Sequence, residues 1–425
     1  MVNTSKNATT GPSGRYYVLA LLTLTAAFNF VDRQILGVLL EPIGQEFDLP
    51  DSMLGLLSGI AFAVFYATLG IPIAALADRY NRKKIIVVCI AIFSTMTAVC
   101  GFVTSFVQLF LARIGVGVGE AGTAPATQSI LSDLFPIEER PFAMSILAAG
   151  GNIGLMLGLL IGGWVNEWYG WRAAFFVAAV PGAMLALLIA FTVKEPTREL
   201  KAQRQRWVSE TWQGLLLIGK IPSMRRFVVG GSLYGMAAYG IHTWMPVYYI
   251  RFHGMTTGES GTVNALMVGV LGAFGAIIGG MVCGRLSKRD IRWHAWIPAI
   301  GISVSLPLLI AMLLTDNTTL AIALFIIPGL LSSVFAGPTW SMIQELVPVG
   351  RRAMAAAVFL LLFNLVGLGL GPFAVGVLSD LYAMRIGGES LRWAMCTVLL
   401  IGIGGVVAYL KAGSSLRSDL SAESA

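Results

Sequence analysis

The second half of this chain repeats the first at an offset of about 212 residues, and both halves are built from apolar runs long enough to cross a bilayer. Pro136-Ile-Glu-Glu-Arg140 is echoed by Pro348-Val-Gly-Arg-Arg352. Asn152, in a Gly-rich apolar run, is echoed by Asn364 in another. Ala74-Ala-Leu-Ala-Asp78-Arg79 and the basic residues after it map loosely onto Gly280-Met-Val-Cys-Gly284-Arg285, followed by Lys288 and Arg289. A repeat of this kind in a polytopic chain points to a carrier whose two halves rock about a central site.

Composition fits that reading. Of all residues 56% are hydrophobic and only 12% are charged, about half the charge of a soluble domain. Twelve apolar runs lie near 16–40, 53–77, 85–105, 107–130, 142–166, 171–193, 227–250, 260–283, 293–314, 320–343, 353–379 and 391–410. A run of about 20 residues crosses a hydrocarbon core of about 30 Å. The expected fold is all-α and integral to the membrane, with twelve transmembrane helices in two pseudo-symmetric six-helix bundles. The bundles cover 15–193 and 223–411, with a tail over 1–14, a linker over 194–222 and a tail over 412–425. The first apolar run is too long for a signal peptide and reads as a retained helix. Trp207, Trp212 and the run Leu215 to Ile218 suit an amphipathic surface helix, against the alternative of a plain solvated linker. The last tail is small and polar and reads as disordered.

The net charge of +7 is explained by where the cations sit. Lys6, Arg15, Arg79, Arg82, Lys83, Lys84, Arg140, the linker, Arg285, Lys288, Arg289, Arg292, Arg351 and Arg352 fall in alternate loops. The other loops hold only Arg172, Arg251, Arg385 and Arg392. The positive-inside rule then assigns both termini and the linker to the cytoplasm. Compact loops point to a bacterial inner membrane. This asymmetry needs no nucleic acid, although the linker can meet anionic lipid. Cys89, Cys100, Cys283 and Cys396 fall in or at the ends of spans and read as buried free thiols, with no disulfide or metal-ligand spacing. No His-Glu-x-x-His cluster, nucleophile–base pair or nucleotide-binding loop is present, which argues against an enzyme and against an ATP-driven pump. No cofactor and no metal is expected. The expected partners are a small-molecule or lipid substrate, protons and the bilayer, around a monomer.

Four ionisable residues lie deep in the spans, all in the first half: Asp32, Arg33, Arg113 and Glu120. Each costs about 2.5–3.5 kcal/mol at a helix centre, so such residues usually mark a pathway or coupling site. At 1.5 Å per residue, Asp32 lies roughly 6 Å beyond the middle of the first span. Arg113, on a span running the other way, reaches a matching depth, so the two can pair. Arg113, Gly117 and Glu120 share one face. Arg33 points about 100° away from Asp32 and needs its own partner, for which Glu120 is the candidate. With both acids ionised the cluster is neutral. Protonating one frees a cation to attract an anionic substrate group. Burial favours the neutral acid and a guanidinium favours the carboxylate, a balance that a proton-coupled carrier can alter.

Candidate cavity residues in the first half are Asn29, Thr123 and Asn152. In the second half they are Tyr239, His242, Trp244, Asn264, Trp340, Phe363 and Asn364. A lone His in an aromatic span also reads as a hydrogen-bonded packing residue. As a set they suit an amphipathic substrate, with its apolar body here and its polar head near the first-half charges. Gly154, Gly158 and Gly162 form one small-residue face, and Gly367 and Gly371 begin another, which lets helix backbones approach closely.

Ala74-x-x-x-Asp78-Arg79-Tyr-Asn-Arg82-Lys83-Lys84 resembles the loop after the second helix of the major facilitator superfamily. That resemblance implies that Asp78, with Arg79 and Arg82, latches a cytoplasmic gate, the acid meeting the positive end of a helix in the second half. Ala74 and Asn81 stand where the family usually has glycine. Arg113-x-x-x-Gly117 is similar to the family's fourth-helix motif. Gly154-x-x-x-Gly158-Leu159-x-x-Gly162-Gly163 is similar to its antiporter motif, but Leu159 replaces a proline, against an exchange-only reading. Within the superfamily the chain most resembles spinster-like transporters. The likeness rests on Asn29-Phe-Val-Asp32-Arg33, Ala77-Asp78-Arg79-Tyr-Asn81-Arg82-Lys83, Arg113-Ile-Gly-Val-Gly-Val-Gly119-Glu120-Ala121 and Ser132-Asp133-Leu-Phe135. It implies a proton-coupled, alternating-access transporter of an amphipathic or anionic molecule, lysolipid- or sphingoid-like substrates favoured. Asp32 and Glu120 would be the proton-responsive acids, and Arg33 and Arg113 their partners or headgroup contacts. Organic-anion carriers share the Asn-x-x-Asp-Arg stretch. The alternatives are therefore an organic-anion or sugar-acid proton symporter and a multidrug efflux antiporter.

Overall fold

The computed structural model describes residues 12–195, 207–348 and 351–424. Every regular element among them is helical. The first expected span is α1 (Pro12–Phe47), followed by α2 (Asp51–Ser58) and α3 (Ile60–Arg79), one span interrupted at Gly59. Next come α4 (Arg82–Cys100), the broken span α5 (Phe106–Glu120) and α6 (Thr123–Leu134), then α7 (Arg140–Tyr169) and α8 (Trp171–Thr192). Local chemistry sets several of these starts. The Asn81 side chain accepts from the Lys84 N–H to cap α4, and Ser105 does the same for Gln108 in α5. Gly170, at φ 82°, makes the tight joint between α7 and α8 that an L side chain would strain.

The linker contributes α9 (Trp207–Lys220), so part of it is helical. The second half continues with α10 (Pro222–His253), α11 (Thr257–Asn264), α12 (Gly272–Leu286) and α13 (Trp293–Leu314). It ends with α14 (Thr318–Leu331), α15 (Ala336–Glu345), α16 (Arg352–Phe363), α17 (Gly371–Ile386) and α18 (Ser390–Ser424). Two π-helical stretches join these pieces, Ala265–Leu271 before α12 and Asn364–Leu370 before α17. Such wide turns recur at functional positions. Here they begin just after Asn264 and at Asn364.

The C-terminal tail is not disordered as its composition suggested, because α18 runs on to Ser424. Leu416 is fully buried and Leu420 packs beside it, against Phe227, Met342 and Ile343. Asp419 Oδ2 accepts from the Ser223 N–H (2.8 Å), Arg226 Nη1 donates to Ser415 Oγ (2.7 Å), and Arg417 pairs with Asp290 (2.9 Å). Two leucines four residues apart, on one helical face, outweigh a polar composition.

The chain forms two compact units. One comprises Met1–Leu36 and Val64–Gln205, the other Gly37–Ala63 and Arg206–Ala425. The far end of α1, all of α2 and the start of α3 thus belong with the second half of the sequence. The first unit is cored by Leu22, Ile86, Ile90, Phe93, Ile130 and Ile189, and the second by Phe227, Ile302, Phe359 and Tyr409. The small-residue faces pack as their spacing predicts. A Cβ on Gly154 would overlap the Ala27 carbonyl of α1, and one on Gly158 would lie 2.6 Å from the Val31 carbonyl oxygen. In the second unit a Cβ on Gly371 would lie 2.5 Å from the Met236 carbonyl oxygen.

Candidate functional site

The four deep charges meet inside the first unit as two ion pairs. Arg113 Nη1 donates to Asp32 Oδ2 at 2.7 Å. Arg33 Nε and Nη2 both donate to Glu120 Oε2, at 3.0 and 2.8 Å. This is the pairing that helix depth and the 100° turn predict. α1 presents Asp32 and Arg33 to different sides, and α5 supplies both partners from positions seven apart.

The surroundings of the two acids differ. Asp32 is 1% exposed and both its oxygens are engaged, Oδ1 accepting from Thr97 Oγ1 of α4 at 2.5 Å. Glu120 is fully buried, and its Oε1 has no hydrogen-bond partner among the described residues. Arg113 is as buried as Asp32, whereas the Arg33 side chain keeps 15% exposure. Arg33 lies over the Tyr66 ring at 4.3 Å and the Phe30 ring at 5.3 Å, a stack that supports a guanidinium out of water. Asn29 Nδ2 donates to Thr123 Oγ1 (2.7 Å), which donates to the Glu120 carbonyl (2.8 Å). Asn29 and Thr123 therefore brace the turn that ends α5. Asn152 is exposed on α7.

Two opposed pairs in a dry site are neutral together. Removing or neutralising any one member leaves a buried charge uncompensated. The sequence reading missed Thr97, Tyr66 and Phe30. Tyr66 and Thr97 each carry a hydroxyl within an apolar span, a weak signal that only the fold turns into a contact.

The second-half candidates lie in the other unit and divide by environment. Trp244 is fully buried and its Nε1–H is committed to the Pro372 carbonyl (2.9 Å), a packing position. Tyr239 meets Phe363 edge-on at 5.8 Å, and Trp340 meets Phe359 at 4.9 Å. Phe363 also stacks with Phe335, so these rings form one aromatic chain. Asn264 is buried and donates to the Ser260 carbonyl (2.9 Å), and Asn364 is buried at the head of its π stretch. His242 lines a small cavity with Tyr234, Ser305, Phe325 and Ser332.

Of the gate candidates, the side chains of Asp78 and Arg79 lie outside the described residues. Arg82 is buried at the start of α4, where it binds Asp133, Glu195 (3.0 Å) and Ser129 (3.0 Å) within its own unit.

The family model of the Major Facilitator Superfamily matches the chain over residues 22–372. The chain belongs to the major facilitator superfamily. It is a multi-pass membrane transporter and not an enzyme. A solved bacterial homolog to the human lysosomal transporter Spinster, in an inward-facing and unoccupied conformation, superposes with a TM-score of 0.87 at 28% identity. The match covers 96% of this chain and 99% of that one. Protein spinster homolog 1 of Xenopus tropicalis is 27% identical over 438 residues, covering 96% of this chain and 83% of that protein. An MFS-type efflux pump of Mycolicibacterium smegmatis is 31% identical over 411 residues, covering 96% and 95%. Within the superfamily the chain is spinster-like.

Proposed function

We propose that this transporter is proton-coupled and moves an amphipathic or anionic organic molecule, with lysolipid- or sphingoid-like substrates favoured. The observation that carries the reading is the double ion pair, in which two acids and two guanidiniums share one buried site of the first unit. Asp32 and Glu120 are the proton-responsive acids. A proton on either releases a guanidinium, and Arg33, the partly exposed one, is the contact for an anionic headgroup. The aromatic chain Tyr239, Phe363, Phe335 supports an apolar body for the substrate. Asp78 and Arg79 act at the cytoplasmic gate, both termini face the cytoplasm of a bacterial inner membrane, and the protein works as a monomer.

A second reading has specific support. The relative that is 31% identical is described as an efflux pump, which favours export of a broader set of amphipathic molecules. Flux of a labelled lysolipid in proteoliposomes under an imposed pH gradient tests both. Gradient-dependent flux that disappears in Glu120→Gln supports the proposal. Transport of unrelated amphipathic cations with equal gradient dependence moves the function to efflux. Uptake of a small organic acid with no lysolipid flux moves it to anion symport.

A further inference from the structure

α2 is held at its N-terminus by a residue distant in sequence. Its own N-cap position, Pro50, offers no side-chain cap. Instead the backbone N–H groups of Asp51 and Ser52 donate to the two carboxylate oxygens of Asp380 on α17, both at 2.9 Å. An acid here satisfies two orphan amides and meets the positive end of the helix dipole. Beside it, Asp51 accepts from both terminal nitrogens of Arg251 on α10 (2.9 Å each) and from the Ser379 hydroxyl (2.6 Å). Arg251 Nε reaches back to Glu41 on α1 at 2.7 Å.

Below this polar cluster the two backbones touch with little between them. A Cβ on Gly55 would lie 2.6 Å from the Pro372 carbonyl oxygen. One on Gly376 would overlap the Asp51 carbonyl, and one on Gly59 would overlap the Gly369 carbonyl inside the π stretch. A borrowed helix cap, the Ser379 hydroxyl and a glycine seam therefore join α2 to α17, and an ion-pair group ties the same end of α2 to Arg251 of α10 and Glu41 of α1.

We infer that this junction is the outer gate of the transport cycle, with Asp380 and Arg251 as its latch. It lies at the end of α1 remote from the N-terminus, the side that the basic loops assign to the outside. In an alternating-access carrier, first-half helix ends must part from second-half helices at one face while they close at the other. The chemistry suits a reversible contact. Carboxylates, a guanidinium and free amides find water when the seam opens, whereas an apolar seam would pay its full burial on every turnover. The family resemblance implies an acid at the end of α3, Asp78, capping a second-half helix at the opposite face. Asp380, in the C-terminal half of α17, is its reverse: a second-half acid that caps a first-half helix.

The test measures the gate itself and needs no substrate or pH gradient, so it stands or falls apart from the coupling proposal. Spin labels at Met53→Cys on α2 and Met384→Cys on α17, both exposed, are placed in a background lacking the four buried cysteines. Pulsed dipolar spectroscopy in nanodiscs then gives the distance distribution. A single short-distance population is expected for the parent. Asp380→Ala should raise the ratio of long to short distances by at least about tenfold, from loss of two charge-assisted hydrogen bonds. Asp380→Glu should restore part of the short population. Gly376→Leu should raise the long population without touching any charge, and Arg251→Gln serves if the Asp380 variant does not fold. Unchanged distributions in Gly376→Leu and in either latch variant would overturn the assignment.

Discussion

Asp32→Asn is the perturbation for which the structure changes the expectation most. On sequence grounds it removes a proton-responsive acid and leaves the fold intact. In the structure Asp32 pairs with Arg113, and the two are almost fully buried, at 1% and 2% exposure. The amide keeps a hydrogen bond with Thr97 or with Arg113, but it removes the carboxylate charge that faces the guanidinium. Breaking a buried pair from one side costs about 3–5 kcal/mol, a large part of typical domain stability. Arg113→Gln should cost a similar amount for the opposite reason. The double variant Asp32→Asn/Arg113→Gln places two neutral, hydrogen-bonding groups face to face and should cost only about 1–2 kcal/mol. Melting of the four proteins in one detergent, followed by tryptophan fluorescence, completes the cycle. A double variant less stable than either single, with additive losses, would refute the argument that the pair is one energetic unit. Flux in the same set separates stability from coupling. A pH profile kept in Asp32→Asn and lost in Glu120→Gln would place the transported proton on Glu120, whose Oε1 lacks a partner among the described residues.

Gly154→Leu should disrupt the α1–α7 packing, because even a Cβ there overlaps the Ala27 carbonyl; a cost of about 1–3 kcal/mol or more is expected, and unchanged melting would contradict it. Thr97→Val removes the hydroxyl that holds Asp32 Oδ1, so it should shift the pH profile of flux, whereas Thr97→Ser should restore it; identical profiles for both would remove Thr97 from the site. Asp290, in the loop after α12, has its carboxyl pushed down to about 2 by hydrogen bonds from Arg292, below its ordinary 3.8. A depressed acid stabilises above its unfolded value and loses that contribution as pH falls through the folded one, so its pair with Arg417 holds at neutral pH and is lost between about 4 and 2. A spin label at Ser418→Cys should become more mobile over that range, and Asp290→Asn should mobilise it at neutral pH; a label equally immobile in both proteins would show that the pair does not hold α18.

Much of this was legible in the chain. Hydropathy and the repeat located the spans, because a bilayer imposes length and polarity on each one separately. The pairing of Asp32 with Arg113 and of Arg33 with Glu120 followed from depth and helical phase, since few deep charges admit few partners. Other features needed the fold. Trp244 reads like Tyr239 as an aromatic in the seventh span, yet one is locked to Pro372 and the other is packed on Phe363. The Asp380 cap joins residues 328 and 329 positions apart, and no periodicity marks it. The tail was misread because composition averages over Leu416 and Leu420, which anchor it. The basic loop motif drew attention to one face of the membrane, while the opposite junction is built from ordinary glycines, one arginine and acids that look like loop residues.

Arg33 decides which way coupling should run. Glu120 Oε2 accepts from both Nε and Nη2 of this guanidinium, and Arg33 is the more exposed of the two deep cations. On the proposed reading an anionic headgroup reaches Arg33 in competition with Glu120. Binding the anion then leaves a dry carboxylate without its cation, and such a group takes up a proton. Linkage makes the effect reciprocal: if the anion favours the proton, the proton favours the anion by the same factor. Anion and proton should therefore occupy the site together, which is the condition for symport, whereas exchange requires that each expel the other. Binding of an anionic lysolipid, followed by quenching of tryptophan fluorescence in detergent, should tighten as pH falls from about 8 to 5. Glu120→Gln, a permanently neutral partner, should bind tightly at every pH. Affinity that weakens on acidification in the parent would reverse the sign and point to exchange, in line with the efflux reading.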